Sequence, residues 1–286
     1  MSILTVDFRA ENAKEQFARS MRETGFVVLR NHPVHWPLVE EVYADWLTFF
    51  ESDEKFDYLH DNDKQEGYVT QSIAEVAKGA SVKDIKEFYQ LYFPWGRYPK
   101  SLSGATRQLF QEMYHLGSTL LEWVEETLPE DVKADFRTSL KDALCLERTQ
   151  FRMLHYPAFS GKEEKGAIRA AAHEDINLIT VLPAGTQPGL EARDLSGEWH
   201  AVKVDPETIV INAGDMLQEM TKGYIVSTTH RVVNPEESLA SEPRMSMPLF
   251  MHPTADTYLS ERYPTAEDYL DERLKEIGTR EKAEES

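Results

Sequence analysis

From about residue 148 onward the chain breaks into short β-type runs, at 149–156, 175–182, 188–193, 199–204, 208–212, 223–231 and 244–252, separated by Pro, Gly, Asn and Asp. Strands this short, punctuated this regularly, bury their apolar faces by closing on one another, which predicts a β-sandwich or barrel. What precedes them is mostly helical in period. Ala13, Phe17 and Met21 predict a helix over 11–24 between short strands at 3–8 and 25–31, and a second helix runs over 37–50. Leu109, Met113, Leu116, Leu120 and Val124 mark a long amphipathic helix over 104–127. The stretch 61–100 is mixed. A closing helix spans 265–278, with Thr265 as N-cap and Gly278 as stop. Helices first and strands later predict an α+β fold in which helices support a β-core. The expected organisation is a single domain over 1–286: a mainly helical region over 1–147, the β-core over 148–252 and a C-terminal helical region over 253–286.

The run A-A-H-E-D-I-N-L-I-T-V-L at 171–182 sets an imidazole and two carboxylates into an otherwise apolar strand. Burying an ionisable group is costly unless it is paired or bound to a metal. On a strand, residues i and i+2 share a face, so His173 and Asp175 stand together while Glu174 points away. A His–Asp hydrogen bond would explain that pair as well as a metal would. His230, in Y-I-V-S-T-T-H-R-V-V-N, is a third ligand candidate. His32, His35, His60 and His115 lie in the helical half, and His200 and His252 sit near strand ends without a carboxylate at comparable spacing. Two imidazoles and one carboxylate can occupy one face of an octahedral metal and leave three positions open, the arrangement non-haem Fe(II) oxygenases need. In R-M-S-M-P-L-F, Arg244 and Ser246 share a face and form a fork for a carboxylate, with a salt bridge to a protein acid as the other reading. Pro248 marks an edge or bulged position.

Composition excludes several classes. Fifty acidic against 31 basic residues give a net charge of −19, which repels phosphate backbones and anionic membranes, so neither nucleic acid nor a membrane is an expected partner. The acids are spread over stretches such as Glu163–Glu164, Glu236–Glu237 and Glu281 to Glu285, as solubility requires. Cys145 is the only cysteine, so a metal must be held by His, Asp or Glu. The N-terminal stretch has no basic region followed by an apolar run, and a cytoplasmic location is expected.

H-E-D at 173–175, H-R-V-V-N at 230–234 and R-M-S at 244–246, in this order, resemble the Fe(II)- and 2-oxoglutarate-dependent oxygenases of the isopenicillin N synthase-like branch. G-L at 189–190, Trp199, I-N-A-G-D-M-L at 211–217 and T-K-G-Y at 221–224 are similar to that family's strands between the ligands. L-T-V-D-F, G-F-V-V-L-R-N-H, G-Y at 67–68 and D-I-K-E-F-Y at 84–89 are similar to its N-terminal region. The resemblance covers nearly the whole chain.

It implies a double-stranded β-helix (jelly-roll, cupin-like) core, with Fe(II) held by His173, Asp175 and His230. It implies 2-oxoglutarate held by Arg244, Ser246 and Tyr156, and O2 as the oxidant. Leu154 stands where the family often has Asn, which removes one hydrogen bond to the co-substrate. The implied reaction is hydroxylation or desaturation of a small molecule with release of succinate and carbon dioxide; the retained Asp175 fills the position a halide would need. A 2-oxoglutarate-independent oxidase of the isopenicillin N synthase or aminocyclopropane-carboxylate oxidase type is the alternative, since Arg244 and Ser246 could hold a substrate carboxylate. A non-catalytic metal-binding barrel is the third reading. Tyr68, Phe88, Trp95 and Phe250 are the candidate substrate-pocket residues, with Tyr92, Arg97 and Met251 in the same segments. Arg97 and Arg169 are candidate partners for an acidic substrate, although an exposed position is the commoner fate of an arginine. The substrate and the oligomeric state are left open.

Overall fold

The computed structural model describes residues 2–71, 84–93, 95–160, 163 and 166–276; Glu164, Gly278 and Glu281 to Glu285 lie outside the described residues. The N-terminal half contributes β1 (Leu4–Asp7), α1 (Ala13–Thr24), β2 (Phe26–Arg30), α2 (Trp36–Glu51), β3 (Gly67–Val69), β4 (Glu87–Tyr92) and α3 (Ala105–Thr127). Two single-turn helices follow, α4 (Glu130–Lys133) and α5 (Leu140–Ala143). The strand-rich part holds β5 (Gln150–Tyr156), β6 (Ala170–His173), β7 (Ile179–Pro183), β8 (Leu190–Arg193), β9 (Trp199–Ala201) and β10 (Ile209–Ala213). After these come α6 (Asp215–Met220), β11 (His230–Val232), β12 (Arg244–Ser246), β13 (Leu249–Met251) and α7 (Ala266–Glu276).

The strands form two sheets. The major one runs β1-β2-β10-β7-β13-β5-β4-β3, with β12 also paired to β5; the minor one runs β6-β11-β8-β9. Apart from the parallel β1–β2 pair, the ladders of both sheets are antiparallel. The major sheet thus takes strands from both halves of the chain.

Period-two alternation gives this sheet two distinct faces. Val27, Leu29, Val181, Ile209, Ile211, Phe151, Met153, Leu249 and Met251 pack toward α1, α2 and α3 in one large apolar cluster. Their alternates Phe26, Val28, Phe88, Leu154, Tyr156 and Val210 face Ala170, Leu190, Ala192 and Val232 of the minor sheet in a second cluster. The result is three layers, helices on the major sheet and the major sheet on the minor one, the jelly-roll core of an α+β fold. Two glycines fix the packing. Gly25 caps α1 at φ 66°, where an added Cβ would meet the Val226 carbonyl at 2.3 Å. Gly117 lets α3 lie against β13, since a Cβ there would meet Met251 Sδ at 2.1 Å.

Boundaries depart from the sequence reading in three places. The run 175–182 is a strand only from Ile179; Asp175 to Leu178 form a turn after β6. The run 211–217 leaves the sheet at Gly214 and starts α6, because the backbone N–H groups of Asp215 and Met216 turn back onto the carbonyls of Asp175, Ile176 and Asn177. Most of 223–231 is loop, and only from His230 does β11 begin. Thr265 caps α7 as expected, accepting a bond from the Asp268 N–H at 3.1 Å. β12 and β13 both pair with β5 and are interrupted at Met247–Pro248, where proline has no N–H to give.

Candidate active site

His173 and His230 are direct cross-strand partners in the antiparallel β6–β11 pair, with ring centroids 4.4 Å apart. Asp175, two residues beyond His173, reaches the same point from the turn. Its Oδ1 lies 3.9 Å from His173 Nε2 and 3.7 Å from His230 Nε2. All three ligand atoms fall within 4.8 Å of one another.

The rest of each side chain is committed elsewhere. His173 Nδ1 bonds the Ala171 carbonyl at 2.7 Å and His230 Nδ1 the Thr228 carbonyl at 3.1 Å. A carbonyl only accepts, so each Nδ1 carries the proton and each Nε2 presents its lone pair. Asp175 Oδ2 accepts from Thr180 Oγ1 at 2.6 Å and Asn212 Nδ2 at 2.8 Å, leaving Oδ1 to the site. Burial alone would raise the Asp175 carboxyl, but the two imidazoles and these two donors hold it below its ordinary value. Burial and the neighbouring His230 push the His173 imidazole down to about 4, which keeps it neutral. Two neutral nitrogens and one carboxylate oxygen, oriented from behind, fit a divalent first-row metal such as Fe(II).

The turn carrying Asp175 is held by α6. Gly214 N–H bonds the Leu178 carbonyl at 2.9 Å, and a Cβ on Gly214 would meet the Asn177 carbonyl at 2.1 Å, so only glycine lets α6 approach. Upstream, Asp84 Oδ1 accepts from Ala171 N–H at 2.9 Å and Oδ2 pairs with Lys86 at 2.7 Å, clamping β6 just before His173.

Arg244 and Ser246 lie opposite Tyr156 and Leu154 on β5, facing the inter-sheet interior. The Arg244 guanidinium sits 5.1 Å from the Tyr156 ring centroid; its Nε bonds the Gln187 carbonyl at 3.0 Å, and its buried Nη1 has no partner among the described residues. A carboxylate is the ligand that such an unpaired planar donor fits.

A cavity of about 660 Å³ opens in front of His173 and Asp175. Of the pocket candidates, Trp95 and Phe250 line it, as does Tyr92, which stacks on Trp95 at 4.6 Å. Phe88 is 1% exposed beneath Arg152, whose guanidinium lies 4.8 Å from its ring and 5.3 Å from Phe250. Tyr68 is placed elsewhere: it packs on the helix side and donates to Glu87, and so does not border the cavity. Met251 faces α3, and Arg97 pairs with Glu66 at 2.5 Å. Glu174 lines the cavity mouth and accepts from Thr229 Oγ1.

Other residues of the site give little or no signal in the sequence. Thr180 and Asn212 orient Asp175; their only mark is a polar residue at an inward strand position. His252 borders the cavity, where burial and the nearby Arg148 push its imidazole down to about 4. His200 does have a carboxylate beside it, Asp194 Oδ2 at 2.6 Å, because the β8–β9 hairpin folds the two together. Arg169, a candidate partner for an acidic substrate with an exposed position as the commoner fate, is 0% exposed and is not among the residues lining this cavity. Near the end of the described residues, α7 contributes Leu270, Arg273 and Leu274 to the cavity wall, tied down by Tyr269 Oη donating to Asp215 at 2.8 Å.

Known proteins are similar to this chain along most of its length. The family model of the 2OG-Fe(II) oxygenase superfamily matches residues 148–253, and that of the N-terminal region of non-haem dioxygenases in morphine synthesis matches residues 4–112. A candidate oxygenase from Shewanella oneidensis has a similar structure, with TM-score 0.88 and 46% identity, covering 97% of this chain and 99% of that one. Gibberellin 2-beta-dioxygenase 3 of Arabidopsis thaliana is 28% identical over 268 residues, 88% of this chain and 75% of that protein. A full-length Neurospora crassa protein, solved in complex with alpha-KG, shares the fold, with TM-score 0.78 at 23% identity over 95% of each chain. Among the described residues, no helix is long and apolar enough to cross a membrane.

Proposed function

Because this chain belongs to the 2OG-Fe(II) oxygenase superfamily, we propose that His173, Asp175 and His230 hold its iron and that Arg244, Ser246 and Tyr156 hold its 2-oxoglutarate. The protein is an Fe(II)- and 2-oxoglutarate-dependent dioxygenase. Bound at this site, Fe(II) supplies the redox chemistry that couples reduction of O2 and oxidative decarboxylation of the keto acid, giving succinate and carbon dioxide, to oxidation of a C–H bond. The observation that carries the residue assignment is the orientation of the three donors. Both imidazoles are fixed through Nδ1 to backbone carbonyls, and Asp175 is fixed through Oδ2, so that the free atoms converge.

The remaining residues bind and orient. Arg244 and Ser246 receive the distal carboxylate of the keto acid on the inner face of β12, and the Tyr156 ring beside Arg244 walls that pocket. Trp95 and Phe250 offer aromatic faces to the substrate, and Arg152 and Gln150 offer hydrogen-bond donors on the same wall. The cavity suits a small molecule of metabolite size. Hydroxylation or desaturation is the outcome we assign to it, on a small-molecule substrate. Leu270 and Leu274 of α7 add an apolar part to the cavity wall for such a substrate.

Two substitutions separate the roles. His230→Ala protein is expected to retain no iron after desalting, whereas Arg244→Ala keeps its iron and needs roughly tenfold or more 2-oxoglutarate for half-maximal succinate formation, the loss expected for a charge-assisted hydrogen bond. Equal iron loss in both variants would remove the assignment. Oxidation of substrate without any keto-acid requirement in the unmodified protein would favour the 2-oxoglutarate-independent alternative, in which Arg244 binds substrate.

A further inference from the structure

Arg169 precedes β6 and turns its side chain into the interior between the two sheets, where the residue is 0% exposed. Nη2 donates to Gln187 Oε1 at 2.8 Å, while Nε and Nη1 have no hydrogen-bond partner among the described residues. The guanidinium is walled by aromatic rings, with the Tyr156 and Phe159 centroids each 5.9 Å away. No carboxylate lies within ion-pair distance of it among the described residues.

A lone buried guanidinium is costly, and a second one beside it costs more. Arg244 is that second one. It flanks the same Tyr156 ring, holds the same Gln187 through the backbone carbonyl, and also leaves a buried nitrogen open. Burial, with the charge of Arg244 added to it, pushes the Arg169 guanidinium down to about 10, still protonated at neutral pH. Two cations and three unpaired donor nitrogens thus flank one Tyr156 ring, and the hydrogen bonds that the two guanidiniums do make among the described residues go to a neutral glutamine. An apolar wall would be cheaper, so the arrangement calls for an anion that the described residues do not supply.

We infer that Arg169 is a second anchor for the distal carboxylate of 2-oxoglutarate, acting beside Arg244, and that it sets the selectivity for dicarboxylic over monocarboxylic keto acids. This rests on the assignment of Arg244 above. One carboxylate has four lone-pair directions: a guanidinium fork and a hydroxyl use up to three, and an end-on contact from Arg169 can take the fourth. The residual positive charge then penalises any keto acid whose tail is neutral, because both guanidiniums would stay buried without a counterion.

The experiment is calorimetric titration of Mn(II)-loaded protein, which needs no turnover, with 2-oxoglutarate and with 2-oxopentanoate, the same chain without the distal carboxylate. Arg169→Gln should weaken 2-oxoglutarate binding by about 10- to 100-fold and leave 2-oxopentanoate within about threefold. Arg169→Lys, which keeps the charge but loses the fork, should fall between them, and it carries the same comparison if the glutamine variant does not fold. Mn(II) affinity should be unchanged in both. Equal losses for the two acids, or no loss for 2-oxoglutarate, would overturn the inference while leaving Arg244 in place. Unmodified protein that binds neither acid would instead remove the co-substrate assignment, and this inference with it.

Discussion

The orientation of Asp175 is the part of the site most open to a quantitative test. Thr180→Val replaces a hydroxyl by a methyl of nearly the same shape, so packing at this inward position of β7 is kept. What disappears is the 2.6 Å bond from Thr180 Oγ1 to Asp175 Oδ2; the 2.8 Å bond from Asn212 remains. A hydrogen bond to a charged acceptor is worth about 1.5–3 kcal/mol, and removing a partner that orients a metal ligand costs about 10- to 100-fold in metal affinity. The two figures agree, since each 1.4 kcal/mol or so is a factor of ten. The same substitution strands the Asn177 side chain, whose Nδ2 donates to Thr180 Oγ1 at 3.0 Å and whose Oδ1 is already unpartnered. That loss adds roughly 1–3 kcal/mol against folding, a fall in Tm of a few degrees for a chain of this size. Competition between the protein and a fluorescent chelator for Co(II) reads the affinity, with Thr180→Ser as the control that keeps the hydroxyl. A Thr180→Val protein whose metal affinity stays within about twofold, while its Tm drops as expected, would show that the hydroxyl supports the fold and not the ligand.

Two further substitutions test the frame around the site. Glu87 sits between His155 Nδ1 at 2.7 Å and Tyr68 Oη; burial raises its carboxyl, but these donors and Lys55 outweigh it and hold the group below its ordinary value of 4.5. A depressed folded-state value means that the stabilisation is complete above the unfolded value and is lost as pH falls through the folded one. Glu87→Gln should therefore lower Tm at pH 7 and flatten its acid-side decline below about pH 4.5, read by thermal melts from pH 7 to 3; an unchanged acid limb would count against the network. Gly117→Ala should destabilise by about 1–3 kcal/mol from overpacking on Met251, reduced by up to about 1 kcal/mol of helix propensity. Urea unfolding that finds it as stable as the parent would mean that Met251 yields at no cost.

The metal-ligand candidates and the major elements are legible in the sequence because they are written in periods. His173 and Asp175 share a face at spacing two, the long helix shows its stripe from Leu109 to Val124, and Thr265 stands before a run of helix formers. The turn from Asp175 to Leu178 is not legible, since I-N-L-I-T-V-L reads as one β run; it is broken by tertiary bonds from the N-terminus of α6, far downstream in sequence. Tyr68 escapes for a related reason. An aromatic at a strand position fits either face, and only the register of β3 against β4 turns it toward Phe50 and Glu87, away from the cavity. Arg169 follows the same logic in reverse: composition favours an exposed arginine, and no local pattern reveals the interior into which it turns.

The inner face of the major sheet differs from its outer face in kind. Outward, between the strands and the helices, alternate positions are mostly apolar, with Glu87 and His155 as a mutually bonded polar pair among them. Inward, the same strands carry Thr180, Asn212, Gln150, Arg152, Arg244 and Ser246 among Phe26, Val28, Val210 and Leu154. A chain stable by a margin of about 5–15 kcal/mol tolerates so polar a layer only if its groups are paired or reserved for ligands. They divide in that way. Thr180 and Asn212 spend their bonds on Asp175, so the metal ligands are stiff before any ion arrives. Arg244 and Arg169 keep open donors, so their corner is the part of the interior whose electrostatic cost falls when a dianionic ligand enters. Preset ligands around Asp175 and unmet charge at Arg244 and Arg169 therefore predict that metal and keto acid each raise the stability of the fold, by different means: the one binds side chains already oriented, the other neutralises guanidiniums already buried.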